Sequence, residues 1–348
     1  MSLVSVIVPI YNSSEYLDGL FENLCAQTFE NIEIICVDDG STDNSAGIIA
    51  EYIKKDSRIK YLYQENQGGG AARNNGIAAA KGEYIICLDS DDIFEKNLIE
   101  TLYQKAKATD ADITICKYRQ INLITGKISR CKGVVEKMLP DKEVFSRKDV
   151  DSIFEITNPA PWNKLYKSDF IKRNNIKYTH SKRSNDIAFC MVALALADKI
   201  TTVDDELVTY RCMSSISGTK TRGKYAADCV KIYKSIYEEL CTRNLFEFVK
   251  QSFINSISSC IVYELSFHVD THSLEVFRQY FNEEPFCESS KQQLREIFKI
   301  KSIKKKYFEY LFYKILTFGL NKFIVNKYSN YKLMLENLKG IGITEIFF

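Results

Sequence analysis

Cysteine pairs at metal or redox spacing are missing from this sequence: its 11 cysteines are scattered, with no Cys-x-x-Cys anywhere. That excludes zinc-ribbon and thioredoxin-like readings. An odd count without a framework points instead to reduced thiols, with Cys36, Cys87 and Cys116 sitting in apolar runs as small core residues. Histidine is scarce, at three residues. His268 and His272 have i, i+4 spacing, but no glutamate is placed as a zincin requires, so they read as a solvated helix end. His180 lies in a loop ahead of Asp186. No apolar run approaches the ~20 residues needed to span a bilayer. Leu3 to Pro9 is too short, and lacks the basic leader, for a signal core. Neither charge dominates: 47 Lys+Arg against 45 Asp+Glu give +2, so nucleic acid is not an expected partner. No internal repeat or low-complexity tract is present. What remains is an ordinary globular composition over 348 residues, 45 % hydrophobic and 26 % charged, enough for ~2 domains and expected in the cytoplasm.

The first third alternates between two periods. Leu3–Val8, Ile32–Val37, Ile59–Tyr63 and Tyr84–Leu88 are continuous apolar runs that read as buried strands. Between them, Glu15–Gln27 (apolar at Leu17, Leu20, Phe21 and Leu24), Asp43–Ile53, Ala71–Ala80 and Leu98–Ala106 read as helices. Thr42 or Asp43 is expected to cap the second helix. Strands of this kind alternating with helices mean a mostly parallel, Rossmann-like α/β sheet covered on both faces. Ile113–Tyr118 is expected as a further strand at its edge. Residues 119–148 read as an excursion or hairpin. Asp149–Glu155, Ser168–Asn174 and Asn185–Ala197 are expected helices, and Ile200–Val203 and Leu207–Tyr210 two short strands. From about 224 the pattern is helical, through a polar linker at 282–292 to a lysine- and aromatic-rich tail. The organisation expected is three parts, 1–110, 111–220 and a helical C-terminal region (221–348).

Ligands of open α/β sheets sit beyond the carboxyl ends of parallel strands. Pro9 ends ladder pairing in the first strand and leaves Tyr11 there to stack on a base or to close the core. Two acidic turns follow strands, Val37-Asp38-Asp39-Gly40-Ser41 and Leu88-Asp89-Ser90-Asp91-Asp92. Carboxylates crowded beside a diphosphate require a cation between them. Asp39 can accept from a pyrimidine N3–H, favouring uracil; alternatively it caps the next helix. In the second turn one carboxylate can take ribose hydroxyls while the other ligates Mg²⁺ or Mn²⁺; alternatively the acids cap a helix. Gln67-Gly68-Gly69-Gly70-Ala71-Ala72-Arg73 is neither Gly-x-Gly-x-x-Gly nor Walker A. Its glycines permit close backbone approach, and Arg73 supplies a permanent cation.

In this order, Val6-Ile7-Val8-Pro9-Ile10-Tyr11-Asn12, Val37-Asp38-Asp39-Gly40-Ser41-Thr42-Asp43, Asn66 to Gly76, and Leu88 to Asp92 resemble glycosyltransferase family 2. The match is close over roughly 3–100 and looser to about 218. The resemblance implies an inverting, metal-dependent enzyme of GT-A fold, with 1–110 its nucleotide-sugar-binding half, 111–220 its acceptor-binding half and a helical region following. It implies Asp39 on uracil, Arg73 beside the nucleotide, Asp89 on ribose and Asp91 on Mg²⁺ or Mn²⁺. Trp162-Asn163-Lys164-Leu165-Tyr166 resembles the family's segment near the acceptor pocket. Ser184-Asn185-Asp186 stands where the family shows Glu-Asp at a helix head, which implies Asp186 as general base, with Asn185 a departure. Tyr210 to Gly218 resembles the closing loop, which implies Arg211 beside the leaving diphosphate.

The expected donor is a UDP-sugar and the acceptor a glycan or lipid-linked glycan in cell-surface polysaccharide synthesis. Two rival readings stand beside it. A sugar nucleotidyltransferase would open with a glycine-rich basic loop after the first strand, which Pro9-Ile10-Tyr11-Asn12 is not. A non-catalytic sugar-nucleotide or membrane-binding scaffold is argued against by Asp91 and Asp186. The tail 299–328 interleaves lysines with aromatics, either as a peripheral contact at the inner face of the plasma membrane or as a helix packed on the domain with a basic solvent edge.

Overall fold

Runs such as Val4–Ile10 and Ile32–Asp38 hide both faces, and helices supply the cover. The computed structural model describes residues 3–131, 133–179, 181, 185–212, 228–264, 272 and 275–276. His180, Ser184, His268, the segment 213–218, the linker 282–292 and the tail 299–328 lie outside them. The chain divides into two compact units, 1–214 with 235–249, and 215–234 with 250–348.

In the first unit the order is β1 (Val4–Ile10), α1 (Ser14–Cys25), β2 (Ile32–Asp38), α2 (Ser45–Lys55), β3 (Ile59–Tyr63), α3 (Gly69–Ala79), β4 (Tyr84–Cys87), β5 (Ile93–Phe94), α4 (Leu98–Thr109), β6 (Ile113–Asn122), β7 (Ile128–Cys131), β8 (Lys164–Lys167), α5 (Ser168–Arg173), α6 (Asn185–Leu196) and β9 (Ile200–Cys212). The strands lie in the order β3-β2-β1-β4-β8-β6-β9-β5, with β7 a hairpin on β6. The β3-β2-β1-β4 half is parallel, with Ile7 opposite both Ile35 and Cys87. β8 is antiparallel to both β4 and β6, and β6 is parallel to β9. Two antiparallel steps cancel. β1, β2, β3, β4, β6 and β9 therefore all point the same way, and their carboxyl ends share one edge. The mixed, mostly parallel sheet is the one expected.

Several local expectations change. β6 is internal, flanked by β8 and β9, and not an edge strand. Residues 200–212 form one strand, not two. Residues 149–155 form turns, not a helix, because Asp149 accepts from Ser146 N and Ser146 Oγ and local side-chain bonding competes with helix. α2 starts at Ser45, later than expected; Asn44 caps it without a side-chain bond, while Asp43 accepts from Ser45 N and Ser14 N. Pro9 lies within β1, opposite Val37. It faces the side where β4 has already ended, so its missing N–H leaves no ladder bond unmade.

The core lies between sheet and helices, with Leu17, Leu20, Phe21 and Leu24 of α1 buried against it. Cys36, Cys87 and Cys116 are buried free thiols. Further along, the described residues include α7 (Asp228–Thr242) and α8 (Phe246–Glu264). In the second unit Tyr233 meets Phe253 edge-on and shares a 2.6 Å bond with Ser256 Oγ.

Candidate active site

The shared carboxyl edge brings the acidic turns together. A cleft of about 330 Å³ is lined by Pro9, Tyr11, Asp39, Arg73, Asp89 and Asp91, with Asn12, Ser13 and Tyr16 beside them. Six residues singled out from the sequence thus meet in one cavity. Tyr11 is 52 % exposed at its rim, as a stacking platform has to be.

Asp39 organises the glycine loop. Its Oδ1 accepts from Gln64 Nε2 at 2.7 Å and Gln67 N at 2.8 Å, and its Oδ2 from Gly68 N at 2.8 Å. Gly68 at φ +91° permits that approach. Oδ2 keeps a lone pair for a further donor. Neighbouring Asp38 is structural, accepting from Ser41 N and Tyr61 Oη.

Arg73 is buried in α3, and burial opposes its charge. Asp89 restores it: Nη2 donates to Asp89 Oδ1 at 2.5 Å, while Nη1 donates to Asn185 Oδ1 at 3.1 Å. Its Nε has no partner among the described residues. The Arg73–Asn185 bond ties the cleft to the head of α6. Asn74 reinforces the tie by exchanging two 2.9 Å bonds with the Tyr178 backbone, and Tyr178 stacks on Phe189 of α6 at 4.1 Å. Asp186 is half-buried in the first turn of α6. Burial raises its carboxyl above the usual range, Arg73 partly offsets this, and Asp89 adds to it.

Asp91 is pushed up by burial and then by the charge of Asp89, and it has no ion-pair partner among the described residues. Arg73 is ion-paired to Asp89, while Arg211 and then Arg73 offset the charge of Asp91 only without direct pairing. No cluster of three metal-ligating side chains occurs among the described residues. A hard cation held by one or two carboxylates and completed by phosphate oxygens needs none, so the oxygen donor set of Asp91 and Asp89 fits Mg²⁺ or Mn²⁺.

Asp92 escaped the sequence reading, although it is the third acid of the same turn. Its Oδ1 accepts from Arg211 N at 2.9 Å and its Oδ2 has no partner among the described residues; burial, then Asp89, pushes it up to about 8. It anchors the end of β9, where Arg211 Cζ lies 5.9 Å from the Tyr16 ring on the cleft wall. Tyr16 was missed too, because at helical spacing it reads as an ordinary α1 residue. Trp162 reaches this region through Tyr210, their rings parallel within 11° at 5.7 Å. Asn163 and Lys164 are buried and are not part of the cleft lining. Asn163 Nδ2 donates to Cys116 O, and Lys164 Nζ donates at 2.8 Å each to Asn158 O, Ala160 O and Asn163 Oδ1. Both side chains are 0 % exposed, so they hold the Pro159–Pro161 turn.

Comparison with known proteins agrees with this arrangement. The family model described as glycosyl transferase family 2 matches residues 5–174. Glycosyltransferase GlyG of Streptococcus pneumoniae is 40 % identical over 238 residues, 66 % of this chain and 78 % of that protein. The poly(ribitol-phosphate) beta-glucosyltransferase of Bacillus spizizenii is 36 % identical over 208 residues, 58 % of this chain and 31 % of its own length. Among solved structures, S. aureus TarS 1-349 in complex with UDP-GlcNAc shares the fold with a TM-score of 0.57 at 20 % identity, covering 86 % of this chain and 92 % of that one. With the GT-A architecture shared and the motifs matched across the cleft, the chain is a glycosyltransferase belonging to family 2.

Proposed function

We propose that the chain transfers a sugar, with inversion, from a UDP-sugar to a hydroxyl of a glycan or lipid-linked glycan in cell-surface polysaccharide synthesis. The observation that carries the reading is the convergence of Tyr11, Asp39, Arg73, Asp89 and Asp91 on one cleft. The TarS complex with UDP-GlcNAc and the poly(ribitol-phosphate) beta-glucosyltransferase support donor and acceptor class. Tyr11 stacks on uracil and the free lone pair of Asp39 Oδ2 accepts its N3–H. Asp89, oriented by Arg73, takes ribose hydroxyls.

Asp91, with Asp89, would hold the divalent cation, whose chemistry is to offset charge building on the leaving diphosphate. Arg211 adds positive charge at the same rim. Asp186 takes the proton of the acceptor hydroxyl as its oxygen attacks the anomeric carbon opposite the departing UDP. Trp162 and Tyr210 form the aromatic wall on the acceptor side, and Asn163 and Lys164 act through the turn they hold.

The test is UDP release from a panel of UDP-sugars with Mn²⁺ and a polyol-phosphate or glycan acceptor. One UDP-sugar should stand above the rest, and release should rise when acceptor is added. Release from GDP- or CDP-sugars at the same rate would sink the uracil reading, because cytosine N3 carries no proton.

A further inference from the structure

Three exposed aliphatic side chains stand on a hairpin tip at the same sheet edge as the cleft. β6 ends at Asn122, the chain turns, and β7 begins at Ile128. Leu123 is 45 % exposed, Ile124 66 % and Ile128 56 %. β6 is flanked here by β7 and β9, the three side chains nevertheless stay open to solvent, and clustered exposed aliphatics mark contact surfaces. The hairpin's own sequence is basic. From Ile113 to Val135 the chain carries five basic residues and no acid. Lys117 pairs with Glu136 and Asp204, and Arg119 with Glu95. Lys127, exposed at the tip, has no ion-pair partner among the described residues.

The position of the tip follows from strand direction. β6 and β9 run parallel, and Leu123 N donates to Cys212 O at 3.0 Å, one residue beyond Arg211. Arg211 in turn lies against Tyr16 of the cleft.

We propose that the Leu123–Ile128 tip is an anchor for an anionic membrane surface. Its aliphatics enter the boundary between headgroups and acyl chains while Lys127 meets acidic headgroups. The contact is separate from residues 299–328 and needs no statement about the donor. A second copy of the chain fits less well, because a two-fold contact would set the basic tip against itself. Docked this way, the cleft rim faces the bilayer, where the head of a lipid-carried acceptor is presented.

The experiment is co-sedimentation of the full chain with phosphatidylglycerol/phosphatidylcholine vesicles, without nucleotide. The exposed pair Ile124→Asn/Ile128→Asn should lower partitioning at least ten-fold with the thermal midpoint unchanged. Phosphatidylcholine alone should bind the wild type at least ten-fold more weakly than the anionic mixture. Phe248→Asn, 71 % exposed in the wild type on α8, should leave binding as it was. The proposal fails if the wild type stays in the supernatant, if the double variant binds equally, or if Phe248→Asn lowers binding as much. It also fails if sedimentation velocity finds a dimer that the double variant dissociates. Vesicle binding and UDP release are separate readouts, so one reading can fail without the other.

Discussion

Arg73 donates to Asp89 on the cleft side and to Asn185 on the α6 side, so one planar guanidinium sets the register of two functional segments. Lysine keeps the charge but cannot present two diverging N–H groups in that plane. Arg73→Lys should therefore lower kcat/KM by about 10–100-fold, the size of a lost hydrogen bond to a charged group. The loss should appear in UDP affinity by calorimetry as well as in kcat. In the proposed reaction Asp186 takes the acceptor proton. Asp186→Asn should keep UDP affinity and reduce transfer by ~10²–10⁴-fold; normal turnover would remove it as the base. Its pH dependence has a definite sign. Burial raises its pKa, and Asp89 adds to the rise, so the active carboxylate forms only at higher pH than a solvated aspartate would need. The acid limb of kcat/KM should lie above the ordinary carboxylate range, and Asp186→Asn should abolish that limb.

At the scale of the element, α3 sits so close to the sheet that Gly76 is a spacing device. A Cβ on Gly76 would lie 2.4 Å from Ile7 Cγ2 and 3.3 Å from Val37 Cγ2. Gly76→Ala should cost ~1–3 kcal/mol of stability, read as a lowered urea midpoint. Gly19 on α1 has nothing within 4 Å of its would-be Cβ. Gly19→Ala should raise the midpoint, by up to ~1 kcal/mol, through helix propensity alone. Such contrasts explain which elements were legible in the sequence. Leu17, Leu20, Phe21 and Leu24 announce α1 by spacing, and the acidic turns announce the strand ends that carry the cleft. β9 reads as two strands because exposed Asp204 and Asp205 break its apolar run; irregular pairing with β6 around Lys117 carries the ladder past them. Val150, Ile153 and Phe154 have helical spacing, yet the chain there makes turns, with Glu155 N donating to Ser152 O. The polar Trp162-Asn163-Lys164 run suggests reach toward an acceptor, and only burial in three dimensions turns Lys164 inward. Main-chain carbonyls as partners, those of Asn158 and Ala160 for Lys164 and of Cys116 for Asn163, leave no mark in a linear pattern.

Across the molecule, acids are treated differently at the two ends of the sheet. At the amino-terminal edge Glu33 is buried, yet Lys60, Ser5 Oγ and Lys81 N together hold its carboxyl below the usual range despite that burial. At the carboxyl edge Asp89 shares Arg73 and Asp91 has no ion-pair partner among the described residues. A net charge of +2 spread over 348 residues does not neutralise that edge locally. An arriving diphosphate meets like charge at short range, where the repulsion is little screened by salt. UDP should therefore bind weakly after chelation with EDTA, and at least ten-fold more tightly once Mn²⁺ is restored, by calorimetry. Asp91→Ala removes the unpaired carboxylate, so two effects oppose one another: the repulsion falls, and the cation loses its holder. The wild-type gain on adding Mn²⁺ should disappear, while metal-free UDP affinity should stay level or rise. An unchanged Mn²⁺ response in Asp91→Ala would place the cation elsewhere, and a fall in metal-free affinity would mean that Asp91 binds the nucleotide directly.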